Sequence, residues 1–399
     1  MAGSIKTYAD PTSSPGKEGN MKEKCLAGVL EAPRAFMVRE FETPKVGEED
    51  VLLEVEMCTI CGSDLPVYKG MSPEAKFPMI LGHELVGRIA DMGNKAKDHY
   101  LLKAGDRVVY GGWSGCGTCR LCREGNSRLC QVKKYPARSC TEYPHLFGGM
   151  SEYMYILGGR DLHPIAEEVP AEAGCMGNNV GNGLYYTQFR GGVKKGDAVV
   201  ISGVGGQGLG CVIGAKDVGA FPIIVTGLGW DRARLDFAKK LGADYTIDVE
   251  KDDPMEKVKA YTRGELADVV VETSGHPQAL KMAVGYARPT GTISMVGLNW
   301  PNLPLDGTLV NQIVFKELKV VGALGPRRPA MEQAIRIINS RKFPIEEFIT
   351  HRFTLFQLDE AFHTFDEKKE ECIKVGICPR EKGAEGTELG GRRRRKKNG

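Results

Sequence analysis

No apolar run in the 399-residue chain is long enough to cross a bilayer. A spanning helix takes about 20 such residues, so an integral helical membrane protein is excluded and no membrane partner is expected. Residues 1–20 are polar, rich in Gly, Pro and Ser, and lack the apolar core of a secretory signal. We expect residues 1–21 to be a disordered extension and the protein to be cytoplasmic. Net charge is scarce as well. The formal charge is +3, yet residues 392–397 alone carry six positive charges, so the remainder is mildly acidic. A nucleic-acid-binding face is therefore not expected, and residues 381–399 are expected to be a disordered basic tail. A disulfide framework is missing too. Of twelve cysteines, four fall together at metal-ligand spacing, which fits thiolates on metal in a reducing compartment.

What is present is an ordinary globular composition over a length that calls for two domains. Residues 51–57 alternate like a strand with one buried face, and 88–90 and 106–110 read as further strands between glycine-bearing turns. Many short strands with Gly and Pro punctuation predict a partly closed β-barrel. From Asp197 the pattern changes to continuous apolar runs, as in parallel strands buried on both faces. These are 198–202, 223–226, 245–248, 268–273, 292–296 and 318–321, with helical stretches such as 231–241 and 277–287 between them. The fold class is α/β with a Rossmann doubly wound sheet. Residues 331–340 read as a helix and 373–378 as a closing strand.

Three motifs carry chemistry. In the first, Cys61-Gly-Ser63-Asp64 and Gly82-His83-Glu84 flank a turn-rich loop and offer a thiolate, an imidazole and a carboxylate. Cys61 and His83 read as metal ligands, against buried core residues as the plainer alternative. Asp64 is placed to fix the tautomer of His83 and Ser63 to pass a proton. The second motif is Cys116, Cys119, Cys122 and Cys130, spaced C-x2-C-x2-C-x7-C. Four thiolates so close can close a tetrahedron around zinc, leaving a structural site with no open position. An iron–sulfur cluster with Cys140 as a further ligand is the rival. The third is Gly203-Val-Gly205-Gly206-Gln-Gly208 between an apolar strand and an apolar helix, the context in which glycines admit a pyrophosphate to a helix N-terminus.

The order of these motifs resembles the zinc-containing medium-chain dehydrogenase/reductase family, which includes alcohol, sorbitol and threonine dehydrogenases. The resemblance spans about residues 24–380. It implies a chaperonin-10-like (GroES-like) β-barrel catalytic domain from 22–179 and 325–380, and a Rossmann NAD(P)-binding domain from 180–324. It also implies two zinc ions, one catalytic and one structural, and a homodimer or homotetramer. Two positions depart from the family. Where relatives carry a Cys or Glu ligand before the nucleotide loop, this chain has Asn178; Cys175, Asn178 or water could complete the set. Where many relatives continue a proton relay with histidine, it has Pro66. Cys61, His83 and Glu84 already neutralise a divalent ion, so Glu84 is expected to be a ligand as well as a catalytic residue. The expected cofactor residues are Gly203, Gly205, Gly206, Gly208, Gly227 and Ser274. The second parallel strand ends without a carboxylate, and Arg232 and Arg234 follow, so NADP is favoured over NAD, with Asp231 as a helix N-cap.

The expected activity is hydride transfer between NAD(P) and a secondary alcohol or polyol, or the corresponding ketone. The alternatives are a zinc-independent reductase of enones or quinones and a non-catalytic cofactor-binding protein. Gly111-Gly-Trp113 marks a region of the substrate pocket, while His145, His163 and His351 read as structural.

Overall fold

The computed structural model describes residues 22–113, 115–132, 138–298, 307–368 and 371–381; the expected extension 1–21 and most of the basic tail, Arg392 to Lys397 included, lie outside the described residues. A seven-stranded sheet runs in the order Ile349–Phe353, Lys374–Ile377, Val51–Thr59, Glu84–Met92, Arg107–Trp113, Arg160–Pro164, with Tyr153–Ile156 also paired to Val51–Thr59. A three-stranded sheet of Ala35–Glu42, Lys24–Ala32 and Met79–Ile80 is bridged to it at Ala27 and Ser151. The two sheets enclose one core, including Val29, Leu52, Leu85, Val108 and Tyr153. Val51–Thr59 is buried on both faces except at Glu54 and Glu56. The alternation expected for a half-buried strand fails because three other strands pair with or flank it in the sheet.

The second half is a six-stranded parallel sheet in the order Tyr245–Asp248, Ile223–Gly227, Val199–Ser202, Ala267–Glu272, Ala287–Met295, Lys319–Gly322. The strand order reverses beside the first strand, which makes the sheet doubly wound and opens a crevice at the carboxyl ends. Val199, Val200 and Ile201 have no exposed surface, as their continuous apolar run predicts. The fifth strand starts earlier than expected because Pro289, Thr290 and Gly291 look like a turn; they form a bulge within it instead. After the sixth strand, the helix Arg328–Asn339 packs on the helix Gly177–Leu184 and the chain returns to the first sheet. Lys374–Ile377 then slots between Ile349–Phe353 and Val51–Thr59, with Ile377 opposite Cys58 and Gly376 opposite Thr59. Among the described residues, no helix is long and apolar enough to cross a membrane.

Candidate active site

Sheet register brings the first motif together. Thr59, at the end of one strand, pairs with Glu84, at the start of its antiparallel neighbour. Cys61 leaves that end and His83 arrives at it, so the donor atoms of Cys61, His83 and Glu84 all lie within 4.8 Å of one another. Glu84 Oε2 accepts from Thr59 Oγ1 and from Lys374 Nζ, each at 2.6 Å. Its other oxygen, Oε1, is buried without a hydrogen-bond partner. Burial alone would raise the Glu84 carboxyl, but the charges of Lys374 and His83 outweigh it and hold the group below its usual range. A bare buried carboxylate oxygen is costly unless a cation meets it, and the neighbouring thiolate and imidazole are zinc donors. The residues fit a metal ion.

Asp64 Oδ1 lies 3.4 Å from His83 Nδ1, while Oδ2 accepts the Cys61 N–H at 2.8 Å, so one carboxylate orients both donors. Ser63 Oγ stands 3.4 Å from His83 Nε2. Asn178 sits in the first turn of Gly177–Leu184 and donates its amide nitrogen to His83 O and Tyr110 O at 3.1 and 3.2 Å. With the nitrogen so committed, only its oxygen is left for a ligand. Cys175 is buried, with Sγ directed to Glu172 O at 3.3 Å, and is not in the donor group.

The four lobe cysteines also place their sulfurs within 4.8 Å of one another. The Cys116 and Cys119 N–H groups point to the sulfurs of Cys130 and Cys116, both at 3.3 Å, and Thr118 Oγ1 lies 3.4 Å from the latter. A side chain at Gly115 would collide with Cys122 and Cys130. Cys140 is buried elsewhere, under the carbonyl of Pro78. Four converging sulfurs, two of them met by the backbone N–H groups just named, fit a closed metal site.

At the nucleotide loop, Gly203 has φ +99°, and a Cβ there would meet Ser274 N and Thr273 Oγ1 at 2.9 Å. A Cβ at Gly208 would run into Gly203 O. The strand Val199–Ser202 therefore turns tightly into the 13-residue helix Gly206–Val218, with Gly205 extended at its N-cap. Open N–H groups at that end suit a pyrophosphate. Ser274 is fixed by Glu272, whose Oε1 accepts its N–H at 2.8 Å. Gly227 packs its backbone on Val204 and Leu235.

The tip of the second parallel strand corrects two expectations. Asp231 stands at the N-cap position of Arg232–Lys240, but its side chain makes no cap hydrogen bond to that helix: Oδ2 accepts the Leu228 N–H at 3.3 Å, and Oδ1 pairs with Lys368 at 2.8 Å and Arg234 at 3.4 Å. Arg234 is buried and spent on Cys372 O, at 3.1 and 2.9 Å, so it does not face a cofactor phosphate. Arg232 faces solvent with Asp236 at 3.9 Å. Reasoning from local sequence missed Glu250, whose Oε2 accepts the Gly229 N–H at 2.7 Å and brings a carboxylate to a tip that has none of its own. It also missed Lys374; the available signal was a lysine inside an otherwise apolar closing strand.

Comparison with known proteins agrees with the two-part fold. A family model described as "Alcohol dehydrogenase GroES-like domain" matches residues 47–167, and one described as "Zinc-binding dehydrogenase" matches 206–340. A probable alcohol dehydrogenase from Mycobacterium tuberculosis is 36% identical over 322 residues, covering 79% of this chain and 87% of its own. A sorbitol dehydrogenase from Halalkalibacterium halodurans is 32% identical over 358 residues, covering 89% and 99%. Among solved structures, an alcohol dehydrogenase from Thermotoga maritima superposes with a TM-score of 0.80 at 27% identity, covering 89% of this chain and 99% of that one. With a GroES-like half, a Rossmann half and these relatives, the chain belongs to the zinc-type medium-chain dehydrogenase family.

Proposed function

We propose that the protein is a zinc-dependent NAD(P) oxidoreductase acting on a secondary alcohol or polyol, or the corresponding ketone. Cys61, His83 and Glu84 would hold the catalytic ion, with Asn178 standing aside so that the fourth position is left to water or the substrate oxygen, and Cys116, Cys119, Cys122 and Cys130 would hold the structural one. The observation that carries the reading is the bare, buried Oε1 of Glu84 turned to no protein donor beside a thiolate and an imidazole. When bound, zinc supplies polarisation of the substrate oxygen and the nicotinamide supplies the hydride acceptor. The chain's own residues do the rest. Asp64 holds His83 and the Cys61 backbone in place, and Lys374 balances the Glu84 charge. Ser63 carries the hydroxyl proton at Oγ towards water, because Pro66 leaves no histidine to continue the relay. The glycine turn and the Gly206–Val218 helix hold the dinucleotide in the crevice.

For the cofactor, Arg232 supports NADP as the solvent-facing arginine at the second strand's tip. Glu250 at the Gly229 N–H is the specific observation favouring NAD, since a carboxylate there suits ribose hydroxyls. Residues 22–179 with 325–380 form the catalytic half and 180–324 the nucleotide half in this reading. Family precedent supports a cytoplasmic homodimer or homotetramer with small-molecule partners only. Retention of Cys61, Ser63, Asp64, His83 and Glu84 together argues against a zinc-free reductase and a silent cofactor sensor. Zinc quantification, with a screen of alcohols and ketones against both cofactors, tests the whole reading. Two zinc ions per chain and alcohol-dependent reduction of one cofactor are expected; a single zinc with normal turnover overturns the catalytic ion.

A further inference from the structure

We infer that the substrate carries an oxyanion, a phosphate or a carboxylate, held by Arg128 and Arg327 at the mouth of the interdomain crevice; this deepens the dehydrogenase reading and rests on it. Arg128 lies in the short turn Ser127–Leu129 of the cysteine lobe, and its guanidinium packs against Gly325, where any Cβ would collide with it. Gly325 follows the sixth parallel strand, Lys319–Gly322, at its carboxyl end, the edge at which this sheet type binds ligands. Arg327 comes two residues later. Its Nη1 donates to Leu324 O and Gly325 O at 3.2 and 3.4 Å, and its Cζ stands 4.9 Å from the Tyr185 ring centroid. Its Nε is buried with no hydrogen-bond partner.

Several guanidinium groups gather around this point. Arg128 is close enough to Arg327 and Arg160 to be repelled by both, and Arg327 is close to Arg190 in the same way. Among the described residues, no carboxylate forms an ion pair with Arg128 or Arg327. The acid nearby, Asp161, pairs with Arg328 at 3.8 Å instead. Both side chains are half-buried, and clustered guanidinium groups favour an anion between them, since their planar forks suit phosphate and carboxylate. The cluster also adjoins the chemistry. Tyr186 accepts the Gly325 N–H at 3.2 Å and sits within electrostatic reach of both Arg128 and Cys61.

The anion is not one of the cofactor's. The pyrophosphate belongs at the glycine turn after the first strand, and a 2′-phosphate at the tip of the second. In the observed order the second and sixth strands are four spacings apart, about 19 Å. A group bound beside Gly325 is thus on the substrate's side of the crevice.

The test uses zinc-loaded protein saturated with NAD or NADP, so that the nucleotide loop is filled. Calorimetry with inorganic phosphate and with malonate reads the two anion chemistries separately. Steady-state kinetics compare glycerol 3-phosphate and glycerate with glycerol. One anion is expected to bind and to compete with alcohol, and Arg327→Gln and Arg128→Gln each weaken it by about tenfold or more, with partial recovery in Arg327→Lys. Arg327 lies outside the cysteine lobe, so Arg327→Gln keeps the test open if Arg128→Gln disturbs the lobe. Binding of neither anion, or equal binding by wild type and Arg327→Gln, overturns the subsite. Arginine-dependent anion binding without turnover of any alcohol supports the subsite and overturns the dehydrogenase reading instead.

Discussion

Lys374 Nζ lies 2.6 Å from Glu84 Oε2, and both side chains are almost wholly buried. The last strand of the seven-stranded sheet thus delivers a cation to the second residue of the His83-Glu84 pair. Burial disfavours the ammonium, but the charges of Glu84 and Cys61 outweigh that and keep Lys374 protonated. Lys374 also reaches towards Gly206, at 3.8 Å from where its Cβ would stand, and so touches both halves of the crevice.

Removing the cation strands the carboxylate. Lys374→Met, measured on metal-free protein by denaturant melts, should lose roughly 3–5 kcal/mol, the usual cost of leaving one partner of a buried ion pair alone. A loss below about 1 kcal/mol would show that Glu84 has another source of compensation.

Glu84→Ala tests the donor set directly. Elemental analysis should find one zinc per chain, in the four-sulfur lobe, with alcohol oxidation reduced by at least about two orders of magnitude. Two zinc ions in the variant would remove Glu84 from the ligands.

The strand tip makes a paired prediction about cofactor choice. If NADP is the cofactor, Arg232→Ala should raise its KM about tenfold, as loss of a charge-assisted bond does, and leave that for NAD unmoved. If NAD is the cofactor, Glu250→Ala should raise the NAD KM by a similar factor. Ratios of kcat/KM for the two cofactors in both variants decide between them.

Asp161 gives a pH signature. Burial pushes its carboxyl up to about 6, against the pull of Arg328. The protonated form is therefore favoured by folding: this contribution is complete below the ordinary value of 3.8 and is lost as pH rises through about 6. The loss is on the order of 2–3 kcal/mol. Asp161→Asn should flatten the fall in stability between pH 4 and pH 7 by that amount in equilibrium unfolding, and an unchanged pH slope would show that the carboxyl titrates normally.

Much of the fold was legible because its signals are local. The run 198–202, the glycines after it and the apolar helix form one contiguous pattern, and the cysteine lobe declares itself within 15 residues. Cys61 and His83 were readable as candidate donors that the fold brings together, because thiolate and imidazole have few other reasons to keep that company. What escaped depended on distance in sequence. Lys374 is a lone lysine in a strand until register sets it against Glu84. Arg234 looked like a phosphate ligand beside a cofactor strand, but the chain's return folds the Cys372 carbonyl onto it. Glu250 belongs to the third strand's loop and reaches the second strand's tip only through the parallel pairing of the two. Asp231 has the residue type of a cap, but two cations and a neighbouring N–H claim its oxygens first.

The insertion of Lys374–Ile377 between Ile349–Phe353 and Val51–Thr59 also sets an order of assembly. The six parallel strands are contiguous in the chain and can close their sheet while translation is still under way. The sheet around Cys61 and His83 cannot, since a gap stays open in it until some 300 further residues have left the ribosome. Until then Glu84 lacks the Lys374 counter-charge, and the protein is a finished nucleotide fold tethered to an unfinished pocket.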